Sequence, residues 1–405
     1  MHDIVLLSTA DWDNPFWTNK QHMAVNLAAL GYRVLYIDSL GLRRPSLQAQ
    51  DTSRMARRLR RGLRAPRKVR ENIWVLSPLV LPWHQRTIIR RFNKIWLTLC
   101  IALARAYLGM KPDMLWTYNP LTLDLLDVRS FKHLVYHCVD DIKAQPGMPV
   151  ETIGEAEPRL IAAADCVFCS APKLAEYCSE FNARTYFFPN VADYDHFSKA
   201  LAEDTVIPED LARIHKPRIG FIGALSAYKV DFNLLRHLAI ARPEWSIVLI
   251  GKIGEGDPWT DPSLLEGLKN LTVLGPRDYG MLPQYLKGID VALLPNMINQ
   301  YTAGMFPMKF FEYLAAGKPV VATDLPALRD YRDLVHIGVS PEDFMEKIEQ
   351  ALAEDGEQIR SRLEAAREHT YAKRLEKMMD IVEGLEGRLK RMDAKSSKKA
   401  SGIRG

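Results

Sequence analysis

The stretch from Phe306 to Ala322 sets Pro307, Met308, Lys309 and Glu312 ahead of Gly317, and these residue types suit a phosphorylated ligand. Pro307 opens a helix and Gly317 stops it, the expected asymmetry of helix punctuation. Free first-turn N–H groups and the positive helix end attract phosphate oxygens. Lys309 adds a full positive charge there. Glu312, one turn further on, can accept two hydrogen bonds from a ribose diol. An ordinary amphipathic helix would carry the same punctuation, so the reading needs support from other residues.

A second group is acidic. Tyr136 to Val139 reads as a strand, and Asp140 and Asp141 follow at its carboxyl end. A carboxylate in that place can take a proton from an attacking hydroxyl if it comes within hydrogen-bond reach. The same pair could instead cap the next helix. Asp141 and Asp140 are the candidate bases, with Asp13 in reserve. Metal chemistry is not expected. Cys166 and Cys169 lie three apart on a short strand, so they face opposite ways and cannot share an ion. His133 and His137 share a strand face but read as a packed histidine pair.

The elements that must position these groups alternate in type. Ile4–Ser8, Val34–Ile37, Ile73–Leu76, Met114–Trp116, Leu134–His137 and Cys166–Cys169 read as strands, and Lys20–Leu30 as a helix stopped by Gly31. A second series holds strands at Arg218–Gly223, Ser246–Ile250, Leu271–Leu274, Val291–Leu294 and Val320–Ala322. Helices at Phe232–Ala241, Leu282–Lys287 and Lys309–Ala316 separate them. Strand–helix alternation predicts an α/β fold with two doubly wound, Rossmann-like domains facing a cleft. The expected division is residues 1–192, then 193–370, then a helix over 371–392 returning to the first domain, and a disordered tail over 393–405.

The segment around Pro307 to Gly317 closely resembles the nucleotide-sugar site of GT-B glycosyltransferases of the bacterial surface-polysaccharide group. Ile219 to Leu225 followed by Lys229, Asn270 to Arg277, and Leu282 to Pro295 resemble further parts of the same donor domain. The resemblance covers roughly residues 215–330 strongly and the first half more loosely. It implies donor contacts from Glu312 on the ribose, Lys309 and Met308 beside the diphosphate, and Gly223, Lys229 and Arg277 in the flanking loops. Many retaining members carry another acid eight residues before the glutamate, where this chain has Gly304. Its Pro-x-Lys pattern matches a related branch instead. The loop from Ser8 to His22 resembles the opening of teichuronic-acid-type transferases. Its aromatics suit stacking on a sugar ring, which makes Trp12, Trp17 and Asn19 candidate acceptor contacts.

Composition bounds the rest. With 405 residues, 47% of them hydrophobic, the chain can bury two cores, and large-scale disorder is excluded. Ile4 to Leu7 runs into polar residues rather than a leader peptide, so a soluble cytoplasmic protein is expected. The formal charge is +5, yet Arg54 to Arg70 alone holds nine basic residues and no acid. Met55, Leu59 and Leu63 recur among those arginines, predicting a basic amphipathic helix that binds an anionic membrane surface at the inner face of the plasma membrane. Ile88, Ile89, Phe92, Ile95 and Trp96 extend the apolar content. No nucleic-acid recognition module accompanies the basic run.

The expected activity is transfer of a sugar from a nucleoside-diphosphate donor, UDP-linked by preference, to a lipid-linked or polysaccharide acceptor. Neither a cofactor nor a metal is expected. A nucleotide-sugar epimerase of the same fold, or a non-catalytic nucleotide-sugar-binding protein, would share the donor site.

Overall fold

A computed structural model describes residues 2–14, 17–41, 65–81, 87–255, 257 and 259–385. Two sheets organise the chain. The first contains β1 (Asp3–Leu7), β2 (Arg33–Ile37), β3 (Arg67–Arg70), β4 (Ile73–Leu76), β5 (Met114–Thr117), β6 (His133–Cys138), β7 (Cys166–Cys169) and β8 (Thr185–Phe187). Their spatial order is β3-β4-β2-β1-β5-β6-β7-β8, and every pair except β3–β4 is parallel. The second sheet contains β9 (Arg218–Ile222), β10 (Ser246–Ile250), β11 (Leu271–Val273), β12 (Val291–Leu294), β13 (Val320–Thr323) and β14 (His336–Gly338). Its order is β11-β10-β9-β12-β13-β14, parallel throughout.

Helices cover both faces of these sheets, which is why the central strands are apolar over most of their length. β1, β9 and β12 are buried at every residue, as parallel strands between two helical layers must be. In each sheet the chain reverses direction of growth once, between β1 and β5 and between β9 and β12. At such a switch point the loops leaving adjacent strands diverge and open a crevice at the carboxyl edge.

The helix Asn19–Ala29 follows β1 and begins at Thr18, whose side chain and Gln21 make a reciprocal capping box. Gly317, at φ +67°, ends the helix Lys309–Ala315. Two helices lie near the end of the described residues. Gly356–Glu368 stops at His369, and a second helix runs over residues 371–385. Leu375, Met378, Met379 and Val382 of the latter pack into the core beside β1 and β2. Residues 386–405, which include the expected tail, lie outside the described residues.

The basic helix expected over Arg54 to Arg70 needs correction. Arg67–Arg70 is the edge strand β3, antiparallel to β4. Pro66 cannot continue a helix, and Arg67 to Arg70 find better partners on the sheet. Arg67 pairs with Asp13, while Lys68 and Arg70 lie over the Trp74 and Trp17 rings. Residues 54–64 of that segment lie outside the described residues.

Candidate active site

The carboxyl edges of the two sheets meet, and the loops at both switch points line the junction. From the first sheet come the loop after β1 and the residues after β5 and β6. From the second come the loops after β9 and β12. The last two are joined to one another: Asn296 Nδ2 and the Met297 N–H donate to the Lys229 carbonyl at 3.1 and 2.9 Å. Asn299 Nδ2 donates to the Tyr228 carbonyl at 2.8 Å. Beside them Gly251 is required, because a Cβ there would lie 1.7 Å from the Gly223 carbonyl oxygen.

Glu312 and Lys309 face this junction from the second sheet's side. Lys309 Nζ donates to Glu312 Oε2 at 2.6 Å, and Glu312 is 4% exposed. Burial raises the Glu312 carboxyl above its ordinary range, against the pull of Lys309. The helix carrying them is seven residues long and begins at Lys309, with Met308 rather than Pro307 at its cap. Its dipole is therefore short, and the lysine supplies the main positive charge. Tyr313 anchors the helix to β9, its hydroxyl accepting from the Ile222 N–H at 2.9 Å.

Opposite stand the acids. Asp140 accepts from the Tyr301 hydroxyl at 3.0 Å, and its other oxygen lies 3.7 Å from Lys20 Nζ. Asp141 lies against the other loop: a Cβ on Gly304 would be 3.3 Å from the Asp141 Cβ. The glycine therefore admits the Asp141 side chain at close range.

An aromatic wall closes the adjoining part. His196 stacks on Tyr279 at 4.3 Å, Tyr279 on Trp17 at 6.5 Å, and His22 on Tyr371 at 4.5 Å. His22 is pushed down to about 3 by burial and then by Lys309, Arg374, His196 and Arg70. It is a neutral ring at ordinary pH. Beneath the wall, Arg374 Nη2 donates to Asn19 Oδ1 at 3.1 Å, and Asn19 Nδ2 donates to Asn190 Oδ1 at 2.6 Å. Asn190 Nδ2 then donates to the Phe306 carbonyl at 2.6 Å. This buried chain fixes the loop that leads into the Lys309–Glu312 helix.

Several sequence expectations are corrected by these positions. Trp12 is 7% exposed and packs against Tyr36 at 5.2 Å, so its ring is core and offers no face to a sugar. Asn19 is committed to the Arg374–Asn190 chain. Asp13 accepts from Arg67 Nη2 through both its oxygens, at 2.7 and 2.6 Å, which draws it to the β3 edge. Arg277 donates to Tyr285 Oη at 2.5 Å and Asp210 Oδ2 at 2.6 Å, so its side chain is occupied. Trp17 does face the junction. Gly223, Lys229, Met308, Lys309, Glu312, Asp140 and Asp141 are brought to it. Cys166 and Cys169 fall in different cores on opposite faces of β7.

Lys20, Tyr301, Tyr279 and Arg374 went unnoticed in the sequence. Only Lys20 has a visible signal, since it follows directly on the aromatic loop. A separate concavity of 560 Å³, lined by Lys216, Asp290, Lys318 and Glu354, opens at the opposite, amino ends of β9, β12 and β13, away from these groups.

Residues 216–354 match the glycosyl transferases group 1 family. A Bacillus subtilis protein named for teichuronic acid biosynthesis, the glycosyltransferase TuaH, is 30% identical over 261 residues. That alignment takes in 60% of this chain and 64% of TuaH, a little under two thirds of the relative's length. Sucrose-phosphate synthase from Thermosynechococcus elongatus superposes with a TM-score of 0.68 at 16% identity, covering 96% of this chain and 100% of that one. The Anabaena protein HepE, solved in complex with UDP, gives 0.58 at 15% identity over 96% and 100% of the two chains.

Proposed function

We propose, of a chain with the GT-B fold and a group 1 glycosyl transferase segment, that it is a glycosyltransferase of cell-surface glycan synthesis. It moves a sugar from a nucleoside-diphosphate donor, UDP-linked by preference, to a lipid-linked or polysaccharide acceptor. The observation that carries this reading is the ion pair of half-buried Lys309 with buried Glu312 at the junction of both switch points. Glu312 would bind the donor ribose and Lys309 the diphosphate. Lys229 and the backbone around Gly223 line the same crevice.

In the transfer, the acceptor oxygen forms its bond to the anomeric carbon as the bond to the diphosphate oxygen breaks. The acceptor proton passes to a carboxylate, and Asp141 is the favoured base because Gly304 leaves it room to face the crevice. Asp140, already bonded to Tyr301, holds the two sides together. The packed aromatic wall keeps water from the donor and limits hydrolysis.

A membrane-facing surface accompanies this reading. The helix Thr87–Leu108 contains no acid and leaves Ile88, Phe92, Ile95, Leu99, Leu103 and Tyr107 exposed. Those positions recur every three or four residues and form one apolar stripe, with Arg91 and Lys94 near its start. Among the described residues no helix is long and apolar enough to cross a membrane. Peripheral attachment to an anionic inner leaflet is the proposal.

The test is thermal stabilisation by UDP, GDP, dTDP and ADP, run beside Glu312→Ala. A shift with one nucleotide that disappears in the variant supports the donor site. No shift with any of the four would overturn the reading.

A further inference from the structure

Lys20 is the second residue of the helix that follows β1, and it is 8% exposed. A buried ammonium needs counter-charge and hydrogen bonds. The acid beside it is Asp140, whose Oδ2 lies 3.7 Å away, beyond good hydrogen-bond distance. The other Asp140 oxygen is taken by Tyr301.

Lys229 comes to the same place from the second sheet. Its ammonium lies 5.3 Å from the Tyr301 ring centre and 5.2 Å from that of Tyr228. The two ammonium groups repel one another. Two lysines thus approach Tyr301 from opposite sides of the crevice, Lys20 through the carboxylate that Tyr301 bonds and Lys229 over the Tyr301 ring.

Polar atoms without partners accumulate alongside. Lys20 Nζ is 5.7 Å from the Tyr118 ring centre. Tyr118 and Asn119, each 1% exposed, follow β5 at the switch point, and neither the Tyr118 hydroxyl nor Asn119 Nδ2 has a well-formed hydrogen bond. His137, fully buried on β6, has both ring nitrogens unbonded and feels the charges of Lys20 and Arg374. Surplus positive charge together with idle donors describes a site for an anion with several acceptor oxygens.

We infer that Lys20 binds the donor diphosphate from across the crevice, forming with Lys229 a two-lysine clamp whose halves belong to different sheets. The inference rests on the nucleotide-sugar reading above. It gives the helix after β1 a charged contact with the donor. Beside Lys309, it makes bound diphosphate a tie between the two halves, since its lysine contacts come from both sheets. Negative charge grows on the departing phosphate oxygen as the glycosidic bond breaks, and a clamp of this kind stabilises it there.

Isothermal titration of the full chain with UDP, UMP and uridine tests the inference. Lys20→Gln should weaken UDP binding by about 10- to 100-fold, the range for a lost charged hydrogen bond. Uridine binding should change by less than about twofold, because the nucleoside carries no phosphate for the clamp. Lys20→Arg should retain most of the UDP affinity. Should Lys20→Gln fail to fold, the comparison of Lys20→Met/Asp140→Asn with Asp140→Asn alone removes both charges together and asks the same question. Equal UDP affinity with and without Lys20 would overturn the clamp and leave the donor reading intact. Failure of the unaltered protein to bind any nucleotide would overturn both.

Discussion

The Tyr301 hydroxyl donates to Asp140 Oδ1 at 3.0 Å, joining the loop after β12 to the end of β6 across the crevice. Tyr301 is 3% exposed, and burial raises its hydroxyl well above the ordinary range, so it stays protonated and donating.

Tyr301→Phe should therefore lower the unfolding free energy by about 1–3 kcal/mol, the cost of leaving a charged acceptor without its donor. Urea denaturation measures it. Unchanged stability together with unchanged nucleotide affinity would mean that this bond does not form in solution.

Asp140 and Asp141 should separate kinetically. Asp141→Asn removes the proposed base and should reduce kcat by about 10²- to 10⁴-fold, with nucleotide affinity kept. Asp140→Asn should act through position, weakening the Tyr301 contact and raising KM more than it lowers kcat. A full-strength kcat in Asp141→Asn would remove that residue from the chemistry.

The sequence carries the sheets because burial on both faces leaves a mark. β1, β9, β10, β12 and β13 are apolar apart from the terminal residues Asp3, Arg218, Ser246 and Thr323, and the pattern places all five within a residue or two. β3, β8 and β14 were not read. They are edge strands of three or four residues, and what makes Arg67–Arg70 a strand is the neighbouring edge of β4 rather than its own composition. The donor side was legible for a similar reason: Lys309 and Glu312 are three apart on one helix. Arg374 and Asn19 are 355 positions apart, and Asn190 and Phe306 are 116. Nothing local announces such a chain. Trp12 was misread because an aromatic in a loop looks alike whether it faces a ligand or the core.

Buried histidines should make the fold acid-labile. His22 is pushed down to about 3, and burial also lowers His137 and His196. His22 is surrounded by Lys309, Arg374, His196 and Arg70, with Tyr371, Tyr279 and Trp17 against its ring. The unfolded chain takes up protons near the ordinary histidine value of 6.5 while the folded chain does not. Stability is therefore full above that pH and falls as pH drops through it toward 3, by about 1.4 kcal/mol per pH unit for each proton excluded. His22→Gln should flatten the slope of stability against pH in that window. An unaltered slope would mean that His22 is already protonated in the folded protein.

The exposed stripe on Thr87–Leu108 gives the last expectation. Each of Ile88, Phe92, Ile95 and Leu103 is more than half exposed, which leaves a continuous apolar surface in water. Moving one such side chain fully into an apolar medium contributes about 1.5–3 kcal/mol, and each basic residue near an anionic surface adds about 1 kcal/mol. Vesicles containing anionic lipid should float the protein, whereas neutral vesicles should not. Phe92→Ser with Ile95→Ser should reduce the bound fraction at least tenfold while leaving nucleotide-induced stabilisation intact, since neither residue lies near Glu312. Charge reversal at Arg57, Arg58, Arg60 and Arg61, which lie outside the described residues, separates the electrostatic share from the apolar one. Flotation that survives both sets of substitutions would place the attachment surface elsewhere. Flotation lost only with the charge reversals would leave the helix stripe without a lipid partner, and its exposure would then need a protein one.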